Sequence, residues 1–246
     1  MSKELPALGN CVLDGLPHGS QRMIRPLLKR VALARGIVTT REGEPLRHVD
    51  FPIDAVISVM AGTRSGKTIE VASVGREGYV ETDGPLQATI AQRSTICRLP
   101  GAVMRILVKD FRAFLKSDVD FVELIRRATS GRFFVTEQAV LCNAHHKIDQ
   151  RLARWLLLMR DRSSRERFRI THAELAAALG VRRAGISLAI ARLRLSGAIE
   201  SGRGNMILGD RAGLLEESCE CYDPMHRAIF GPAASSAAAP KMGLRP

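Results

Sequence analysis

From Val119 to Asn143 the chain runs 25 residues without a proline and with a single glycine, Gly131. Apolar residues recur in it at Phe121, Ala128, Val135 and Cys142, seven apart, which predicts one long helix carrying a seam for another helix. A second row is interrupted, because Gly131, Gln138 and His145 stand where its apolar residues would fall. Two readings of the seam are open. It is a dimer interface made by Phe121, Ala128, Val135 and Cys142, or it packs on the remainder of its own chain. The dimer interface is the expectation carried forward.

On either side of this helix the texture differs. Between roughly Leu27 and Pro100, short apolar runs such as Ala55-Val-Ile-Ser-Val-Met60 and Thr68-Ile-Glu-Val-Ala-Ser-Val74 alternate with turn signals at Arg41-Glu-Gly-Glu-Pro45, Gly62-Thr-Arg-Ser-Gly66 and Asp83-Gly-Pro85. That pattern predicts successive hairpins in a small β-barrel or sandwich. Gly62-Thr-Arg-Ser-Gly-Lys-Thr68 looks like a phosphate-binding loop. It has three residues between its glycines where the motif needs four, and a strand pattern follows where the motif needs a helix, so it reads as a hairpin turn. Beyond the long helix come a second apolar helix, Ile148 to Met159, and a basic polar stretch, Arg160 to Arg167. The segment 231–246, rich in Ala, Ser and Pro, is expected to be disordered.

The segment from Ile170 to Leu208 carries the functional signal. Thr171-His-Ala-Glu174 has the spacing of a capping box and starts a short helix with Leu175, Ala176 and Leu179 on its apolar face. Gly180 allows a tight turn, Val181 plugs the corner, and a second helix runs from about Arg182 to Ser196 with Ile186, Ala189, Ile190 and Leu193 on one buried face. Gly197 ends it. Ala198-Ile-Glu-Ser201 and Asn205-Met-Ile-Leu208 then form a hairpin, or wing, around Gly202-Arg203-Gly204. This is a winged helix-turn-helix. Its candidate DNA-binding residues are Thr171, Arg182, Arg183, Ser187 and Arg203: Arg183 for a base edge, Arg182 and Arg203 for phosphates. The chain carries a net charge of +12. Between Gln150 and Arg211 there are 13 arginines against 5 acidic residues, so the excess is concentrated around the motif.

Barrel, long helix, helix-turn-helix and wing follow in the order of the Crp/Fnr superfamily of bacterial regulators, which the chain resembles from about Leu16 to Tyr222. The strongest local matches are Ile170-Thr-His-Ala-Glu-Leu-Ala-Ala-Ala-Leu-Gly-Val-Arg-Arg183 and Asp210-Arg-Ala-Gly-Leu-Leu-Glu-Glu-Ser-Cys-Glu-Cys-Tyr222. The latter resembles the ending of an effector-poor subgroup. The resemblance implies an α+β fold with a cyclic-nucleotide-binding-type β-barrel over residues 16–116, a dimerisation helix over 117–146 and a winged helix-turn-helix over 147–222. It implies a homodimer on a twofold-related site in double-stranded DNA, with RNA polymerase a further partner if the protein activates transcription. The family's base-contacting arginine falls on Arg183. Where many members place a glutamate and a second arginine on that face, Ala184 and Leu188 stand here, so the family's usual target sequence does not transfer. From Gly75 to Thr89 the chain lacks the Arg-Ser-Ala triplet that holds a cyclic phosphate, and Arg93-Ser94 comes several residues late. The effector is left unknown, and a regulator switched by an unidentified small molecule in the barrel is the alternative reading.

Neither a membrane anchor nor catalysis is expected. No apolar run approaches the roughly 20 residues of a spanning helix, and no nucleophile turn or dinucleotide fingerprint stands out. The five cysteines, Cys11, Cys97, Cys142, Cys219 and Cys221, make a poor disulfide framework and fit a reducing, cytoplasmic compartment. An oxygen-sensing iron-sulfur cluster of the family's kind would need its cysteines mostly near the N-terminus, where only Cys11 lies. Cys142, His145 and His146 lack a fourth ligand nearby in sequence and read as a buried cysteine and two hinge histidines, so neither metal nor cofactor is expected.

Overall fold

In the computed structural model, which describes residues 5–80, 89–202 and 204–231, the chain opens with two short helices, α1 (Cys11–Asp14) and α2 (His18–Ile24). The Asn10 side chain caps α1. The turn expected at Asp83-Gly-Pro85, the wing-tip Arg203 and residues 232–246 lie outside the described residues. Seven strands follow: β1 (Lys29–Leu33), β2 (Val38–Thr40), β3 (His48–Pro52), β4 (Val56–Gly62), β5 (Thr68–Val74), β6 (Ser94–Leu99) and β7 (Gly101–Leu107). They make a three-stranded sheet ordered β1-β7-β3 and a four-stranded sheet ordered β2-β6-β4-β5. The expected barrel is therefore a jelly-roll-like pair of sheets, not a ring closed by hydrogen bonds. Bulges at Val38/Thr40, Val56/Ile57 and Val59/Met60 bend the strands of the larger sheet. Leu33, Ile57, Val74, Cys97 and Val103 from both sheets are buried together. The loop-like Gly62 to Thr68 segment is the β4–β5 hairpin: the Thr63 N–H donates to the Lys67 carbonyl at 2.9 Å, and Gly66 takes φ +82°, the left-handed region that favours glycine.

Three helices come next, α3 (Val108–Ser117), α4 (Val119–His145) and α5 (Ile148–Ser163). The long helix is present over its whole predicted length, but its seam turns inward. Phe121 is fully buried against Phe111 and Phe114, with ring centroids 5.5 and 5.0 Å apart, and Cys142 is fully buried in the C-terminal core. Ala128 and Val135 pack half-buried against the same two cores. The breaks in the second row have a reason within the chain. A Cβ at Gly131 would lie 2.4 Å from the Ala228 carbonyl oxygen, and the Gln138 amide donates to the Cys221 sulfur at 3.2 Å. Phe121 and Cys142 are thus buried within their own chain, while Ala128 and Val135 keep part of their surface exposed. A seven-residue repeat records that one face of a helix is covered; it carries no label for what covers it.

The start of the basic polar stretch after Met159 continues α5 by another turn. Arg162 and Ser163 are buried, and Ser164 ends the helix in a left-handed conformation, φ 55°. The C-terminal part consists of β8 (Arg167–Arg169), α6 (His172–Leu179), α7 (Arg183–Leu195), β9 (Ile199–Gly202), β10 (Asn205–Leu208), α8 (Arg211–Glu217) and α9 (Tyr222–Phe230), its strands ordered β8-β10-β9. Its core joins α5, α6, α7 and the wing through Leu156, Phe168, Leu179, Ile190 and Met206, and includes Val56 and Leu99 of the larger sheet. The last helix, α9, returns to pack on α4 beside Gly131. Among the described residues no helix is long and apolar enough to cross a membrane.

Candidate nucleic-acid interface

The first helix of the motif is set by local chemistry. The Thr171 hydroxyl accepts the Glu174 N–H at 3.2 Å while a Glu174 carboxylate oxygen accepts both the Thr171 N–H and its hydroxyl at 2.8 Å, the reciprocal capping expected from the spacing. Gly180 closes α6 at φ +65°, and a Cβ there would meet Ile69 of β5 at 2.6 Å. Glu174 also receives Arg35 of the sheet domain, with Arg98 at 3.6 Å. Burial alone would raise its carboxyl, but the hydrogen bonds from Thr171 and the Arg35 guanidinium outweigh that and hold it below its ordinary value. Thr171 therefore spends its hydroxyl on starting α6 and tying it, through Glu174, to the sheets.

The second helix, α7, buries Ile186, Ala189, Ile190 and Leu193 as predicted. Its N-cap residue, Arg182, makes no side-chain capping bond, so N–H groups of the first turn remain open beside two exposed arginines, Arg182 and Arg183. A helix start of this kind attracts anions through its free donors and dipole. Ser187 is exposed but engaged: its hydroxyl bonds the Arg183 carbonyl at 3.2 Å and the His172 ring at 2.9 Å, which ties α6 to α7.

One residue escaped the sequence reading. Arg194 is exposed and lines the cleft between α7 and the wing together with His172, Ser187, Ala191 and Asn205. At 3.6 residues per turn, Ser187 and Arg194 lie about 40° and about 20° around the helix from Arg183, so the three share one outward arc. The spacing that located the buried face would have found Arg194 had it been applied to the exposed one. Among the described residues, Arg182, Arg183 and Arg194 form no ion pair.

The charge is less concentrated than the residue count implies. Arg151, Arg154 and Arg162 are buried, and Arg160, Arg165 and Arg192 pair with Glu166, Asp54 and Asp149 at 2.7, 2.7 and 3.1 Å. The exposed, unpaired set that shares the outward side of the motif is small. It is carried by α7.

Between the sheets, α4 and α5, described side chains bond one another across the gap. Glu77 accepts the Gly75 N–H and pairs with Arg162 of α5 at 2.8 Å, Arg162 donates to Ser73 at 2.7 Å, and Tyr79 bonds Thr129 at 2.7 Å. The cavity beside Tyr79, Arg132 and Arg162 is about 30 Å³. Gly75 permits this closure, since a Cβ there would lie 2.4 Å from that of Arg162.

Residues 150–217 match the family model of the Crp-like helix-turn-helix domain. Among solved structures, the chain is similar to TTHB099, a CRP-family transcriptional regulator from Thermus thermophilus, at 19% identity and TM-score 0.63, over 77% of this chain and 96% of that one. It is similar also to FixK2 of Bradyrhizobium japonicum at 15% identity and TM-score 0.63, over 78% and 98%. A third likeness is to the c-di-GMP-responsive global regulator CLP of Xanthomonas campestris, at 14% identity and TM-score 0.63, over 79% and 100%. No curated protein sequence matches the chain.

Proposed function

We propose that this chain, a Crp/Fnr-type regulator by its helix-turn-helix domain and its fold, binds a twofold-related DNA site as a homodimer and regulates transcription there without catalysing a reaction. The observation that carries the reading is a set of exposed arginines without an ion pair among the described residues: Arg182 and Arg183 at the uncapped start of α7, and Arg194 about three turns on along the arc of Arg183. In this reading Arg183 meets a guanine edge, and Arg182 and Arg194 meet phosphates. Arg203, which lies outside the described residues, keeps the phosphate role expected from the sequence. Ala184 and Leu188 on the same exposed side offer apolar contact, which suits thymine methyl groups.

The homodimer is assigned to the uncovered face of α4. Phe133 and Val140 are 64% and 67% exposed there, with Phe134 and Leu141 beside them. Large apolar side chains rarely cluster on one exposed helix face unless something covers them, and a twofold partner covers the same face of both copies. The Glu77–Arg162 pair supports a protein that holds its DNA-binding domain against the sheets by its own side chains, without a cyclic nucleotide.

The test is to recover genomic fragments bound by the purified protein at physiological salt, beside an Arg182→Ala/Arg183→Ala variant and an Arg194→Ala variant. A palindromic site should be enriched by the wild type and lost in the double variant. Arg194→Ala should keep the site preference and lower the slope of log affinity against log salt by about 0.9 for each phosphate that a subunit no longer neutralises. No enrichment by the wild type, or unchanged enrichment by the double variant, overturns the assignment.

A further inference from the structure

Four side chains that are far apart in the sequence meet where the long helix joins the DNA-binding domain. Cys142 lies in the last turn of α4, His146 sits in the joint before α5, and Cys219 and Cys221 lie between α8 and α9. Their three sulfurs and one ring nitrogen all lie within 4.8 Å of one another. The Cys142 and Cys219 sulfurs are 3.5 Å apart, and the Cys221 sulfur is 3.6 Å from Nδ1 of His146. A tetrahedral zinc ion with ordinary zinc–sulfur and zinc–nitrogen bonds separates two sulfurs by about 3.8 Å and a sulfur from a nitrogen by about 3.6 Å. The cluster already has the size of that coordination sphere.

The surroundings fit an ion as well. The other ring nitrogen of His146, Nε2, faces the Glu220 carboxylate at 3.1 Å, the partner that orients a metal-bound imidazole and fixes its tautomer. The Gln138 amide donates to the Cys221 sulfur. All three cysteines are buried, at 2% exposure or less, so the sulfur donors are closed off from water as in a structural site.

Charge gives an independent argument. Arg151 and Arg154 are buried, each has an Nε without a hydrogen-bond partner, and neither meets a carboxylate among the described residues. Both lie close enough to Cys142 to act on its charge. A buried cation without a counter-charge is strongly unfavourable. Three thiolates and a neutral imidazole around a divalent ion carry a net charge of minus one, which supplies what these guanidinium groups lack.

We propose that Cys142, His146, Cys219 and Cys221 form a closed, four-coordinate zinc site that staples the end of α4 to the α8–α9 segment. Binding requires each thiol to release its proton, so uptake displaces protons and weakens as the pH falls. Because the staple spans the joint between the long helix and the DNA-binding domain, it fixes the angle at which that domain is carried.

The experiment uses the full chain, purified with a reductant and without chelators, and measures metal by mass spectrometry. One zinc per chain is expected. It should be lost from Cys142→Ser, Cys221→Ser and His146→Asn but kept by Cys11→Ser and Cys97→Ser, whose thiols lie outside the cluster. Should the ligand variants fail to fold, the wild type is reconstituted with cobalt(II). The intense visible bands of tetrahedral cobalt and a sulfur-to-cobalt charge-transfer band in the near ultraviolet are expected. The proposal is overturned if the folded wild type takes up neither metal, or if folded ligand variants hold zinc as the wild type does. It is also overturned if Cys142 and Cys219 are found joined in a disulfide in protein kept under reductant. None of these readouts depends on DNA binding.

Discussion

The Glu77–Arg162 pair offers a sharp test, because it is a buried ion pair linking the sheet domain to α5. The two side chains are 5% and 4% exposed and 2.8 Å apart. Among the described residues, Arg162→Met leaves the Glu77 carboxylate buried with the Gly75 N–H, at 3.1 to 3.2 Å, as its remaining partner. Stranding one charge of a buried pair costs about 3–5 kcal/mol, and Glu77→Leu should cost a similar amount by stranding the guanidinium. Independent effects would sum to about 6–10 kcal/mol in the double variant. In that variant no charge is stranded. What remains is the unsatisfied Gly75 N–H and the missing bond to Ser73, together about 1–4 kcal/mol. The double variant should therefore be more stable than either single one or close to it. Urea unfolding followed by fluorescence reads this directly, since the sole tryptophan, Trp155, is buried on α5 with its Nε1–H bonded to Glu70 of β5 at 3.1 Å. If the two single losses add in the double variant, the pair is not coupled and the account of this link is wrong.

Three other outcomes are expected. Gly131→Ala places a Cβ 2.4 Å from the Ala228 carbonyl, so the gain of about 1 kcal/mol in helix propensity is outweighed by overpacking of about 1–3 kcal/mol, and the melting temperature falls; a rise would contradict the tight α4–α9 crossing. Glu174 and Asp54 both pair with arginines of the other domain and both sit below their ordinary values of 4.5 and 3.8. Their stabilisation is complete above those values and is lost as the pH falls through the lower folded-state ones. Trp155 emission should shift to the red on acidification below about pH 4, and in Glu174→Gln the change should be smaller; an identical acid limb would exclude Glu174 from the contact. Phe133→Glu puts a charge on the uncovered face of α4 and should turn a dimer into a monomer in sedimentation velocity while circular dichroism stays unchanged. A dimer that survives this change is held elsewhere.

The amino-acid sequence by itself determined the elements whose causes are local. The capping box at Thr171 and Glu174, the left-handed Gly180, the i, i+3, i+4 face of α7 and the long proline-free run of α4 each depend on a few adjacent residues, and each stands where the pattern puts it. The three-residue strand β8 could not be read. Only Phe168 is buried, between exposed Arg167 and Arg169, and one alternation is too short to register as a period.

Tertiary structure alone decided what covers what. A heptad seam specifies a buried face, but the occupant of that face is set by where distant segments arrive, and here α9 and the aromatic side chains of α3 arrive first. The arginine count had the same blind spot, because charge is read along the chain while ion pairs form across it. Arg162 belongs to the basic polar stretch and is a buried plug, whereas Arg194 draws no notice in the sequence and stands exposed on the candidate DNA face. Cys142 and His146 fit one face of a helix end from their spacing. That Cys219 and Cys221 come to complete the set is a property of the folded chain, in which α8 and α9 return to the end of α4.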